Sequence, residues 1–84
     1  ELDIQIDEGK DEEAQAEKYK GILSTIRDRH EKRDKTVNPR GVTCVTVWGL
    51  LDRDSWRRES SPLLFGTGIN DPKPAFYSVL EAAK

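Results

Sequence analysis

The stretch Val42-Thr43-Cys44-Val45-Thr46-Val47-Trp48-Gly49 constrains this chain more than any other. A run that is apolar or β-branched at every position reads as a strand buried on both faces. Such side chains pack well on a pleated surface, and a strand with one wet face would alternate instead. A polar, turn-rich segment follows, and it ends at Asp52-Arg53-Asp54-Ser55-Trp56. Two tryptophans, Trp48 and Trp56, therefore lie just past the strand's carboxyl end. In α/β folds that end carries the ligand.

A doubly buried strand needs cover, and the flanking sequence offers helices. Asp11 is placed to cap one, and Glu12 and Glu13 suit its first turn, where the backbone dipole favours acids. Ala16, Tyr19, Leu23, Ile26 and His30 recur at helical spacing, with Ala14 and Ile22 beside them, which predicts a helix over 11–34. Asp28 and Lys32 can pair across one turn. Gly21 costs roughly 1 kcal/mol relative to alanine in a helix interior, and its lack of a side chain would permit close packing on a strand. Lys35 to Gly41 reads as a loop, because Asn38-Pro39 disfavours helix. At the other end, Asp71 is a capping acid and Pro72 suits a first helical position. Phe76, Val79, Leu80 and Ala83 supply an apolar stripe for a helix over 73–83. Helix, loop, strand, long loop, helix is an α/β rhythm. Right-handed crossovers place the two helices on the same side of the strand layer.

Glu1 to Asp7 alternates, with Glu1, Asp3, Gln5 and Asp7 on one face and Leu2, Ile4 and Ile6 on the other. The residues alone fit a half-exposed edge strand with its acids in water. Charged residues make up 36% and hydrophobic ones 35%, a lean supply for an independent core in 84 residues. One full strand would leave open edges and an uncovered apolar face, so the chain alone is expected to be partly unfolded or self-associated. The net charge is −2 with both signs interspersed. A nucleic-acid surface of Trp48, Trp56, Arg53, Arg57 and Arg58 would need a basic excess. No run is long and apolar enough to cross a membrane. Cys44 is the sole cysteine, so it forms neither an internal disulfide nor a zinc site, and its place in the strand predicts a buried small hydrophobe. Gly66-Thr67-Gly68-Ile69 lacks the spacing and preceding strand of a phosphate loop. His30 reads as a surface or capping group. No metal or cofactor site is expected.

Three stretches, taken in order, resemble the family 10 glycoside hydrolases, the retaining endo-β-1,4-xylanases. Trp48-Gly49, Asp52 and Ser55-Trp56 after a hydrophobic strand are similar to that family's last barrel strand and its loop. Glu1-Leu2-Asp3-Ile4 is similar to its nucleophile strand end. Pro62-Leu63-Leu64-Phe65, then Pro72-Lys73-Pro74-Ala75-Phe76-Tyr77, are similar to its final loop and helix. The resemblance implies a partial (β/α)8 TIM barrel, running from the end of strand 7 through helix 8. Residues 1–84 would be the carboxy-terminal part of a catalytic domain. It implies Glu1 as nucleophile, and Asp3 as the group orienting a histidine from an earlier strand. Trp48 and Trp56 would be walls around the sugar on the non-reducing side of the cleaved bond. Xylan or xylo-oligosaccharides would be the substrate, the remainder of the barrel the partner, and the location extracellular. A xylose ring has no hydroxymethyl arm, so an indole can cover its flat C–H face. Read without the resemblance, Trp48 fits a core equally well, whereas Trp56 in a polar loop does not.

Retaining glycosidases need two carboxyl groups about 5–5.5 Å apart. The family's acid/base glutamate ends its fourth strand, which has no counterpart here, and Glu59 matches no family acid. Hydrolysis is therefore expected only when the rest of the barrel is present. The alternative is a non-catalytic carbohydrate-binding or complementation piece that keeps the tryptophan surface.

Overall fold

In the computed structural model, which describes residues 2–84 and only the backbone of Arg58, the first expected helix forms as α1 (Glu12–Glu31). Asp11 caps it: the Ala14 N–H donates to Asp11 Oδ1 at 2.9 Å. Ala16 and Tyr19 are buried, while Leu23, Ile26 and His30 are half-buried along the same stripe. Gly21 does not approach a strand, since a Cβ built there would meet no atom within 4 Å. Past the helix, Arg33 gathers the chain by donating to the carbonyls of His30, Asn38 and Pro39 at 2.7–2.9 Å. His30 is structural, as anticipated. Its Nδ1 accepts the Val42 N–H at 3.1 Å. Gly41, at φ +64°, passes so close that a Cβ would lie 2.3 Å from that nitrogen.

The strand expected over 42–48 does not form, and no β-strand occurs among the described residues. A strand needs a continuous neighbour to bond with. The Leu2 N–H donates to Thr46 O at 2.7 Å, but Ile6 N–H turns instead to Ser60 O at 2.8 Å. The amino-terminal segment thus divides its hydrogen bonds between two partners, and no ladder grows with either. No other backbone bond ties 42–48 to another segment among the described residues. The expected burial fails with the ladder: Val42 and Val45 are 47% and 40% exposed. Cys44 is exposed too, contrary to the expectation of a buried hydrophobe. The sheet of the expected partial barrel is therefore not seen. Isolated bridges, Leu51 with Phe65 and Phe65 with Pro72, are what remains of strand-like pairing.

The last helix, α2 (Pro74–Ala83), begins later than the sequence predicts, with Lys73 as its cap residue and Pro74 in its first turn. Asp71 does not cap it. Its Oδ2 accepts the Thr67 N–H and hydroxyl at 3.1 and 3.2 Å, closing the Gly66–Asp71 loop on itself. The two helices pack on each other, and Arg27 reaches across to Ala82 O at 3.3 Å. Ile4, Tyr19 and Ala75 form the buried core, with Leu2, Leu23, Val47, Leu64 and Val79 packed around it.

That core is small. The radius of gyration is 14.1 Å, whereas a compact domain of this length would have about 12 Å. Ile22, Val42, Val45, Leu50 and Leu80 are 40–50% exposed. Apolar surface of this kind drives association. Sedimentation velocity at micromolar concentration is expected to show concentration-dependent species. A monodisperse monomer that melts cooperatively would contradict this.

Candidate functional site

The segment between the two tryptophans and α2 has little regular structure, yet it is tied down by buried polar groups. A short 3-10 turn (Asp52–Asp54) follows Leu51, and a second (Arg58–Ser60) follows Trp56. Asp52 is buried at their base. Its Oδ1 accepts the Leu63 N–H at 2.7 Å, and its Oδ2 accepts Lys73 Nζ at 2.8 Å. Lys73, 3% exposed, spends its other two donors on the carbonyls of Ser61 and Leu63 at 2.8 and 2.9 Å. Every ammonium proton and both carboxylate oxygens are thus satisfied. Without such pairing each buried charge would cost several kcal/mol.

Ser61 shows how tightly this segment is held. It sits at φ +47°, a left-handed conformation that costs a non-glycine residue of order 1–3 kcal/mol. Its carbonyl accepts two buried donors, Lys73 Nζ at 2.8 Å and Gln15 Nε2 at 2.6 Å. Gln15 Nε2 also donates to Ile4 O at 2.7 Å, joining α1, the amino-terminal segment and the loop at one point. Next to it the Tyr19 hydroxyl donates to Pro62 O.

Burial pushes the Tyr19 phenol up to about 12, reinforced by the Asp3 and Asp52 carboxylates and opposed by the Ile4 backbone. A folded-state pKa above the ordinary value of about 10 means that folding favours the neutral phenol. This stabilisation is complete below about pH 10 and is lost as the pH rises toward about 12. Tyr19→Phe is expected to cost about 1 kcal/mol at pH 7 through the lost hydrogen bond. The gap between variant and wild type should narrow above pH 10 in urea titrations. A gap that stayed constant up to pH 12 would contradict the assignment.

Trp56, carried by this pinned backbone, is 69% exposed, and Trp48, just before it in the chain, is 62% exposed, so neither is a core residue. The Arg57 guanidinium lies 4.3 Å from the centre of the Trp56 ring, a contact worth about 0.5–1 kcal/mol at an exposed site. Trp56, Arg57, Glu59 and Ser60 line an open cleft of about 580 Å³. Ser55 is buried between the two short turns, and its Oγ accepts the Arg57 N–H at 3.0 Å. Asp3 is half-buried, and its Oδ1 is fully enclosed with no hydrogen-bond partner among the described residues. Glu1 lies outside the described residues. No ring pairing joins the two tryptophans, since the described aromatic pairs are Phe65–Phe76 and Phe76–Tyr77.

The family model for glycosyl hydrolase family 10 matches residues 1–82. The chain belongs to that family. The match takes in the amino-terminal acids, the tryptophan loop and α2 together, and the family implies a (β/α)8 barrel. This family 10 chain is 38% identical to endo-1,4-beta-xylanase Y of Acetivibrio thermocellus over 94% of its own length and 7% of the relative's. It is 41% identical to endo-1,4-beta-xylanase B of Butyrivibrio fibrisolvens over 83% of its length and 11% of the relative's. Endo-1,4-beta-xylanase 3 of Hypocrea jecorina is 53% identical over 36 residues, 43% of this chain and 10% of that protein. The chain thus spans about a tenth of the length of these relatives. No solved structure matches it.

Sequence reasoning missed the buried groups of the family 10 loop: Gln15, Ser61 and the Asp52–Lys73 pair. A signal was present for Lys73, which is flanked by prolines on both sides in Pro72-Lys73-Pro74. A fixed φ angle on either side, the second proline also restricting the lysine before it, holds such a residue in a defined backbone. For Gln15, placed on the stripe beside Ala16 and Tyr19, hydropathy gave no signal.

Proposed function

We propose that residues 1–84 are the carboxy-terminal part of a retaining endo-1,4-β-xylanase barrel, supplying its nucleophile and an aromatic sugar platform. In this reading a Glu1 carboxylate oxygen attacks the anomeric carbon. The bond to the leaving sugar breaks as a second carboxyl, from the remainder of the barrel, protonates the departing oxygen. Water, deprotonated by that same group, then attacks the ester and releases Glu1. Trp48 and Trp56 cover flat faces of xylose units in xylan or xylo-oligosaccharides, and the enzyme works outside the cell.

The observation that carries the reading is the exposed Trp56 indole on a loop otherwise fixed by buried hydrogen bonds, with a second exposed indole, Trp48, just before that loop. Exposed aromatics on rigid backbone bind at small entropic cost. The enclosed, unpartnered Oδ1 of Asp3 adds support, because a buried carboxylate oxygen calls for a donor. A histidine from elsewhere in the barrel fits that need.

Calorimetric titration of the complete family 10 polypeptide containing this chain, carrying Glu1→Gln to stop turnover, with xylohexaose and cellohexaose tests the platform. Xylohexaose is expected to bind more tightly, and Trp56→Ala to weaken it about tenfold, the equivalent of roughly 1.4 kcal/mol. Equal affinity for both sugars, or no effect of Trp56→Ala, would reject the reading. A non-catalytic role would instead give binding with no turnover even in the complete barrel.

A further inference from the structure

We infer that Lys73 is a positioning residue for Trp56, acting through Asp52; this rests on the proposed role of Trp56 as a sugar platform. Trp56 is 69% exposed, so side-chain packing does little to orient it. Its place is set by the backbone that carries it. On one side Asp52 anchors that backbone, and the Ser55 N–H donates to Asp52 O at 3.1 Å. On the other side Ser60 leads into Ser61, whose carbonyl Lys73 holds at 2.8 Å. A single buried ammonium therefore clamps both ends of the segment that presents Trp56, through Asp52 Oδ2 and Ser61 O, and holds Leu63 O just beyond it.

The strained φ of +47° at Ser61 is consistent with this function. A left-handed serine persists only where its surroundings over-determine it, and here its carbonyl meets two buried donors. An apolar pair in place of Asp52 and Lys73 could fill the same volume. It could not hold the Ser61 and Leu63 carbonyls and the Leu63 N–H in fixed directions. The arrangement determines geometry, and the group whose geometry depends on it most is the exposed indole five residues from Ser61.

A double-mutant cycle tests this with xylohexaose as probe and the complete family 10 polypeptide containing this chain, carrying Glu1→Gln to stop turnover. Lys73→Met is expected to weaken binding about five- to tenfold when Trp56 is present, and less than about twofold in the Trp56→Ala background. Time-resolved anisotropy of Trp56, obtained in the complete polypeptide as the difference from a Trp56→Phe variant, should show faster local motion after Lys73→Met, a change that a role in stability alone would not produce at temperatures well below unfolding. If Lys73→Met loses its helical circular dichroism, Asp52→Asn takes its place in the cycle. It keeps the Leu63 bond and removes the charge, and the same outcome is expected. Equal weakening in both backgrounds, or unchanged Trp56 anisotropy, would overturn the inference. If Trp56→Ala itself leaves affinity unchanged, the sugar-platform reading fails, and the anisotropy alone decides whether Lys73 positions the indole.

Discussion

Glu1→Ala is expected to lower xylan hydrolysis on the order of 10⁴-fold or more, in a polypeptide that joins this chain to the other strands of a family 10 barrel. The reason is chemical: alanine offers no oxygen to form the glycosyl ester, so the first displacement has no nucleophile. Glu1→Gln should be similarly inactive, because an amide is a poor nucleophile and its sugar adduct a poor leaving group. Xylo-oligosaccharide binding should be largely retained in both variants, since the proposed contact area is on Trp48 and Trp56. Trp56→Ala should show the contrasting pattern, weakening binding and turnover together. Added azide should restore cleavage of an activated aryl xyloside by the alanine variant. A small anion fits the vacated space, attacks the anomeric carbon once, and leaves a glycosyl azide of inverted configuration. Wild-type rates from Glu1→Ala would remove Glu1 from the mechanism.

The largest effect on stability, read in that same joined polypeptide, should come from Asp52→Ala. It strands the Lys73 ammonium, 3% exposed, with two carbonyls and no counter-charge. It also orphans the Leu63 N–H. Breaking one side of a buried ion pair costs about 3–5 kcal/mol. Small domains have total stabilities of about 5–15 kcal/mol, so this variant should be mostly unfolded or have a sharply lower urea midpoint. Asp52→Leu combined with Lys73→Met should cost less than Asp52→Ala, because no uncompensated charge remains. The double variant still orphans the Leu63 N–H and two carbonyls, so it should remain below wild type. An unchanged midpoint for Asp52→Ala would show that the pair contributes nothing to the fold.

The helices were legible in the sequence because their information is local. Asp11 caps α1 as its position foretells, and the stripe through Ala16, Tyr19 and Leu23 faces the core. The strand at 42–48 was legible as a strong β pattern, yet a strand is a relation between segments. The single link from Leu2 to Thr46 does not make a ladder, so Val42, Cys44 and Val45 stand in solvent. Asp71 was read as a helix cap because an acid before proline is a common start. The Thr67 amide and hydroxyl lie closer and claim its carboxylate. Near the loop, the exposure of Trp56 was legible because an indole in a polar segment is hard to explain as core, whereas that of Trp48 was not, since at a strand end it fitted a core equally well. The Asp52–Lys73 clamp was not legible either, since its partners are 21 residues apart and each looks like an ordinary surface charge. The family resemblance could place Glu1, Asp3 and both tryptophans in order, but not the backbone that aims them.

The most direct test of the account is covalent trapping. A 2-deoxy-2-fluoro xylobioside with a good leaving group forms the glycosyl ester but turns over slowly, because the fluorine disfavours the positively charged transition state. The probe is applied to the complete family 10 polypeptide containing this chain, and peptides are then mapped by mass spectrometry. The expected result is a single xylobiosyl ester on Glu1, absent from the Glu1→Gln variant and unaffected by Trp56→Ala when the probe is saturating. A label on Glu59, on Asp3, or on a carboxylate outside this chain would contradict the account.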